Sequence, residues 1–490
     1  MLLETFLSRY LQSKDLEEKN SAIIAHLAAL DHLMQVNPPI AQNIIKELKS
    51  QRASAKLIAS ENYSSLAVQL AMGNWLTDKY AEGVPDRRFY AGCEFVDSIE
   101  SQAVDSAKKL FSAEHAYVQP HSGADANLVA FWAMLSAKII PEFLEKFSKK
   151  SIDELSPEEH ELLRHKMLSQ KLMGMSLNAG GHLTHGYRHN VSSKIFRSVS
   201  YDVDPKTFYL DYEHLAKKVL EEKPFVLIAG YSSYPRKLDF SKLKQIADSV
   251  GAYFMVDMAH FSGLVAGGVF EGVYNPIPYA DIVTTTTHKT LRGPRGGLIL
   301  CKQPLKEYVD KGCPMVLGGP LPHVIAAKAV AFDEALKPEF KEYSMQIVLN
   351  AKALAQSLMS HGIELTTGGT DNHLMVANVF DRFHITGRQA EIALREAGIT
   401  VNRNAIPFDK NGPWYTSGIR LGTPALTTRG LKEKDMAKIG DLIAQVLAHS
   451  KPHASSKAQV IVDEKVLDDV KKTLSQILER YPLYPDLMID

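Results

Sequence analysis

Cysteine is scarce: only Cys93, Cys301 and Cys313 occur among 490 residues. A sparse, odd set does not make a disulfide framework and fits a reducing compartment. Excess charge of either sign is also missing. Lys+Arg and Asp+Glu each total 56, giving zero formal net charge, so the basic surplus of a general nucleic-acid binder is absent. Long hydrophobic runs are lacking too. The longest, around Phe261 to Phe270, is half of what a membrane span requires. The first twenty residues mix acids and bases and contain no apolar core of the signal-peptide kind. No GxGxxG, P-loop, repeat or low-complexity tract is present, which weakens nucleotide-binding readings. These absences lead to the expectation of a soluble, cytoplasmic protein with no nucleic-acid or membrane partner.

The remaining composition is that of a globular protein, with 45% hydrophobic and 23% charged residues. A chain of 490 residues predicts roughly two or three domains. Residues 1–53 form an expected N-terminal helical arm, with Leu27, Leu30 and Leu33 on one pattern broken by Asn37-Pro38-Pro39. From 54 to 337, short apolar runs (His115–Val118, Val226–Ala229, Tyr253–Val256, Ile282–Thr286, Leu298–Leu300) alternate with helical patterns such as Phe240, Leu243, Ala247 and Val250. That alternation predicts an α/β fold with a parallel or mixed sheet covered on both faces, and ligands at the carboxyl ends of its strands. Residues 338–490 open with a long helical pattern, Met345 to Ser360, and read as a smaller C-terminal α+β domain. The Lys- and Glu-rich stretch 138–173 reads as a helical insertion: Ser156-Pro157-Glu158-Glu159 is a helix start, and Leu163, Met167, Leu168 and Leu172 make one stripe.

Chemistry concentrates in a few places. Thr284-Thr285-Thr286-Thr287-His288-Lys289 ends a strand in hydroxyls and delivers a lysine into the Gly/Pro-rich loop Arg292–Gly297. A lysine so held is placed to form an imine, the alternative being a solvated surface lysine. Asp257 ends the apolar run Tyr253–Val256, where an unpaired carboxylate is costly. A pyridinium nitrogen would satisfy it, as would an ordinary salt bridge. His260 lies three residues on and can flank the same ring. His121-Ser122-Gly123-Ala124 follows a strand and opens an apolar helix, a turn suited to a phosphate. A competing zinc reading of His182, His185 and His189 lacks a nearby cysteine or acidic fourth ligand. His160 and His165 imitate a zinc-protease helix, but five residues apart they diverge by ~140°. No metal is expected.

Several longer motifs stand in one order: Ile58-Ala59-Ser60-Glu61-Asn62, Lys79-Tyr80-Ala81-Glu82-Gly83, Gly181-His182-Leu183-Thr184-His185-Gly186, Val256-Asp257-Met258-Ala259-His260, Thr285-Thr286-Thr287-His288-Lys289 and Ser417-Gly418-Ile419-Arg420. Together they resemble serine hydroxymethyltransferase, from about Ser54 to the C-terminus outside 138–173. The resemblance implies a fold type I transferase of the aspartate-aminotransferase-like kind, with a mixed, mostly parallel seven-stranded sheet. It also implies pyridoxal 5'-phosphate as cofactor and tetrahydrofolate as co-substrate in the interconversion of L-serine and glycine.

By the same resemblance Lys289 would carry the cofactor, with His288 and the Ser122-Gly123-Ala124 turn at the phosphate. Asp257 would meet the pyridinium, His182 would stack on the ring, and Ser232 and His260 would flank the phenolic oxygen. Arg420 and Ser60 would clamp the substrate carboxylate. Glu82 would act as acid and base near the substrate hydroxyl. Tyr80, Glu82, Tyr90, Gly318 and Gly319 look like residues lent by a neighbouring subunit, so at least a homodimer with shared sites is implied. Leu177, Gly181, Leu183, Asn404 and Gly412–Trp414 fall where the family contacts folate. Three positions depart from the family pattern: Phe89 replaces a tyrosine, Ala124 a serine, and Met315-Val316 a glycine pair. They leave open an alternative, a folate-independent aldolase or racemase acting on small amino acids.

Overall fold

The computed structural model describes residues 5–489; the first four residues of the expected arm, and Asp490, lie outside the described residues. Three helices follow, α1 (Phe6–Ser13), α2 (Ser21–Val36) and α3 (Pro38–Ala53). Each begins on a side-chain cap: Thr5 in a capping box with Ser8, Asn20 accepting from Ala22, and Asn37 accepting from Ile40 ahead of Pro38. Tyr10, Ile23, Leu27 and Leu30 are buried against Leu487 and Ile489. The arm thus packs on the end of its own chain.

The centre is a seven-stranded sheet: β1 (His115–Tyr117), β2 (Lys171–Met175), β3 (Arg197–Tyr201), β4 (Val226–Gly230), β5 (Tyr253–Asp257), β6 (Ile282–Thr286) and β7 (Gly297–Cys301), in the order β1-β7-β6-β5-β4-β2-β3. The pairs β3–β2, β2–β4, β4–β5 and β5–β6 are parallel, and β7 is antiparallel to both neighbours. Alternation along each strand divides the core. Leu227, Ala229, Phe254 and Val256 pack on one face, and Val226, Ile228, Met255 and Ile282 on the other. Helix α4 (Glu94–Phe111) covers the first face with Ala103, Ala107 and Phe111. Helix α5 (Gly123–Lys146) covers the second with Ala126, Val129, Ala130 and Met134. Although α5 is long and apolar enough to cross a membrane by composition, half of its apolar window is buried, as expected of a core helix.

Two strands differ from expectation. Lys171–Met173 was expected to close a surface insertion, with Leu172 ending a helical stripe. Instead α5 runs through residues 138–146, α6 (Pro157–Leu168) ends earlier, and Leu172 and Met173 are fully buried in β2. The part outside the sheet is therefore shorter than 138–173. Its Ser156 cap forms the expected box with Glu159. Arg197–Tyr201 is an edge strand, largely open to solvent, and its polar sequence carries no apolar run.

Helix α7 (Pro322–Ala335) packs on α4, and α8 (Pro338–Ser360) leads into an antiparallel four-stranded sheet. Its strands are β8 (Glu364–Leu365), β9 (Leu374–Asn378), β10 (Asn402–Asn404) and β11 (Gly418–Gly422), in the order β8-β9-β11-β10. Ala55 and Lys56, just after the arm, pair in parallel with Ile399 and Thr400. The chain is thereby stitched to its C-terminal part before entering the large sheet.

Candidate active site

The parallel strands end at one edge of the sheet, and their carboxyl ends supply most of a cavity of about 610 Å³. Ser122, Gly123 and Ala124 follow β1; Leu177, Gly181, His182 and Leu183 follow β2; Ser232 follows β4; Asp257 ends β5, with His260 beyond it; His288 and Lys289 follow β6. The smaller sheet contributes Asn404 from β10 and Arg420 from β11, and Ser60 comes from the segment after the arm. Glycine permits two close approaches here. A Cβ on Gly123 would lie 2.7 Å from Thr286 Cγ2, and one on Gly230, at φ +110°, would lie 1.9 Å from the Asp257 carbonyl oxygen. The first lets the start of α5 abut the end of β6.

Asp257 is buried and firmly held. Asn127 Nδ2 donates to its Oδ2 at 2.9 Å, His185 Nε2 lies 3.2 Å from the same oxygen, and the Ala259 N–H donates to Oδ1 at 3.0 Å. The Thr284 hydroxyl donates to Asn127 Oδ1 at 2.6 Å and fixes the amide's orientation. Burial alone would raise the Asp257 carboxyl, but the His185 hydrogen bond and charge, with His182 and Asn127, hold it well below the usual range. It is an anion.

Lys289 is shifted the other way. Burial lowers its ammonium to about 8, with Asp257 opposing and Arg420 and Arg295 assisting. Arg420 donates through a terminal nitrogen to the Ser232 carbonyl at 2.6 Å and through Nε to Asn402 Oδ1 at 3.2 Å. No carboxylate pairs with it among the described residues, and burial lowers it to about 10. The imidazoles are held neutral. Burial, against the pull of Asp257, takes His182 down to about 4. Burial with Arg295 and Lys289 takes His288 to about 3, and burial also pushes His260 well down. His288 Nδ1 is buried with no partner.

This donor set fits the expected cofactor. One cavity gathers a helix N-terminus and an unsatisfied imidazole, a buried anion, a lysine of lowered basicity and a guanidinium with no counter-ion among the described residues. Of the residues expected at the site, Tyr80, Glu82, Tyr90, Gly318 and Gly319 do not line the cavity of their own chain. Tyr80 and Tyr90 are exposed, their rings 5.0 Å apart, and Tyr90 Oη lies 3.3 Å from Glu82 Oε2. His185 and Asn127, the two side chains that anchor Asp257, were not expected to do so; His185 had a role only in the competing zinc reading. The signal for His185 was its place in Gly181–Gly186; Asn127 carried none beyond the helix start. His182, His185 and Asp257 bring their ligand atoms within 4.8 Å of one another, whereas the His189 ring packs against Tyr187.

Comparison with known proteins identifies the family. The family profile described as "Serine hydroxymethyltransferase" matches residues 33–140 and 162–443. A serine hydroxymethyltransferase of Salinispora tropica is 55% identical over 471 residues, 95% of this chain and 98% of its own. That of Mycolicibacterium smegmatis is 53% identical over 470 residues, 96% of each chain. That of Chlamydia trachomatis serovar D is 50% identical over 495 aligned positions, 100% of this chain and 99% of its own. With a match over most of the chain and identities of 50–55% along nearly its whole length, this chain belongs to the serine hydroxymethyltransferase family.

Proposed function

We propose that this chain catalyses the reversible, pyridoxal-phosphate-dependent transfer of a hydroxymethyl group from L-serine to tetrahydrofolate, giving glycine and 5,10-methylenetetrahydrofolate. The observation that carries it is the convergence of Lys289, Asp257 and Arg420 on one cavity, from two strands of the large sheet and one of the small. The chemistry the cofactor supplies when bound is an electron sink for the substrate carbon that bears the amine.

Each residue then has a definite task. Lys289 Nζ, its ammonium lowered to about 8, would attach the cofactor and afterwards carry protons at the substrate carbon. The Asp257 carboxylate, kept ionised and aimed by His185 and Asn127, would hold a proton on the cofactor's ring nitrogen. The N–H groups at the start of α5, with Ser122 and His288, would hold its phosphate. His182 would cover the ring, and Ser232 and His260 would serve its phenolic oxygen. Arg420 and Ser60 orient the substrate carboxylate through a planar, two-pronged contact. Leu177, Gly181, Leu183 and Asn404 form the folate side. Glu82, with Tyr90 beside it, serves the substrate hydroxyl of a second copy, together with Tyr80, Gly318 and Gly319. Support for that sharing comes from the apolar surface around these residues, where Trp75 is 83%, Phe89 69% and Phe95 82% exposed. The cytoplasm is the compartment we assign, a reading supported by the three free, buried cysteines.

The test is exchange of the glycine α-proton by the cofactor-loaded protein, with and without tetrahydrofolate, followed by isotope release. Strong acceleration by the folate is expected. A rate indifferent to it would favour the aldolase or racemase alternative, which the relatives' names do not.

A further inference from the structure

Lys328 stands on α7, is only 1% exposed and lies outside the cavity wall. Its ammonium donates to three backbone carbonyls, those of Val118 at 2.6 Å, Pro120 at 3.0 Å and Gly297 at 2.8 Å. The three belong to segments that meet at the phosphate turn: the exit of β1, the turn leading to Ser122, and the start of β7 after the Gly-rich loop. They are also tied directly, since the Gly297 N–H donates to the Pro120 carbonyl at 2.9 Å. A Cβ on Gly297 would lie 2.2 Å from the Ser122 carbonyl oxygen, and one on Gly296 2.4 Å from Lys328 Cε. Two consecutive glycines thus make room for the lysine and for the turn. No ion pair neutralises the ammonium among the described residues. Glu100 and Asp125 act on it only at longer range, and burial lowers it to about 7.

A buried cation without a paired anion is costly, and three carbonyls from three segments are an unusual set to spend it on. We propose that Lys328 is a positioning residue for phosphate recognition: it locks the Pro120–Gly123 turn and the Gly296–Gly297 corner into one cradle, and its positive charge beneath that turn is answered by the cofactor's anionic group. This rests on the pyridoxal-phosphate reading above. It assigns the grip to a side chain that does not touch the ligand.

The experiment compares cofactor-stripped wild type with K328M, titrated with pyridoxal phosphate and with pyridoxal, which lacks the phosphate. Loss of a charge-assisted contact set is expected to weaken pyridoxal phosphate by about ten-fold or more while changing pyridoxal by less than about two-fold. Equal weakening of both ligands, or of neither, overturns the proposal, because a merely structural lysine would not discriminate between them. Should K328M fail to fold, G296A displaces the same ammonium by its added methyl, and the same selective loss decides. Wild type that binds neither ligand at Lys289 would sink the cofactor reading itself. Wild type that binds both, with an unselective variant, sinks only the role of Lys328.

Discussion

Replacing Arg420 tests the site most directly. The guanidinium offers five N–H donors, of which one is spent on the Ser232 carbonyl and one on Asn402 Oδ1. Three donors therefore remain, enough for a two-pronged contact with a carboxylate, and no acidic side chain competes for them among the described residues. Two charge-assisted hydrogen bonds give about 3 kcal/mol at their low end. The low end applies because Arg420 is partly open to the cavity, so solvent screens some of the gain. That equals a loss of more than about hundred-fold in glycine affinity for R420A. R420K should not recover it, since an ammonium that satisfies the Ser232 carbonyl cannot also present a planar fork. The assay is calorimetric titration of the cofactor-loaded variants with glycine, alongside cofactor content, which should be unchanged. Near-normal glycine affinity in R420A would refute the assignment.

K289A should lose the borohydride-reducible link to pyridoxal phosphate, and peptide mapping that finds the link on another lysine would refute the role of Lys289. Covalent attachment needs the neutral amine, so its rate in cofactor-stripped protein should rise with pH around a midpoint at about 8. D257N, which removes an opposing anion, should move that midpoint down, and a rate flat in pH would count against the lowered lysine. Ala124 lines the cavity in the first turn of α5, so A124S adds a donor to a charged oxygen and should slow cofactor loss on dialysis by about 10–100-fold; an unchanged rate means another group already fills that place. Replacing residues 141–161, which the family profile omits, with a short linker should leave cofactor content intact and lower the melting temperature, because Phe143 and Leu155 join the core. Loss of cofactor from the folded variant would overturn that separation.

The five buried strands that read as apolar runs were legible because a strand covered on both faces has no polar side to interrupt it. Their ends were legible for the complementary reason: Asp257 and the Thr284–Lys289 row place polar groups where the sheet stops. The runs at β2 and β3 were not. Lys171-Leu172-Met173-Gly174-Met175 is short and follows a helix whose stripe it continues in phase, so periodicity alone assigns Leu172 to the wrong element. Its partner β3 lies at an edge and needs few apolar residues. The supports of Asp257 were hidden for another reason. Asn127 and His185 lie 130 and 72 residues from it in sequence, and only the folded sheet brings α5 and the loop after β2 to the same carboxylate. Lys328 was equally hidden, since a lone lysine on an apolar helix gives no sign that three carbonyls await it.

Charge balance ties the cavity to the ligands proposed for it. Two of its six charged wall residues are already answered: Glu61 pairs with Lys56 at 2.8 Å and Arg403 with Glu391 at 2.8 Å. That leaves Lys289, Arg295 and Arg420 against the single carboxylate of Asp257, an excess of two positive charges when the lysine is protonated. The imidazoles do not add to it, because burial keeps His182, His260 and His288 neutral near pH 7. A wall with that surplus and few internal partners is suited to ligands carrying a phosphate and a carboxylate, and poorly suited to a neutral ligand. Burial is the main reason Lys289 is lowered, and the same surplus adds to it, because the Arg420 and Arg295 guanidiniums nearby disfavour its ammonium. Anion recognition and the readiness of the lysine therefore share one electrostatic contribution, added to that of burial. The arginines that attract the ligand's charges also lower the proton affinity of the amine that must bond to it. Asp257 limits the effect: without its carboxylate Lys289 would fall further and the ring nitrogen would lose its counter-charge, which is why that residue is anchored from three sides.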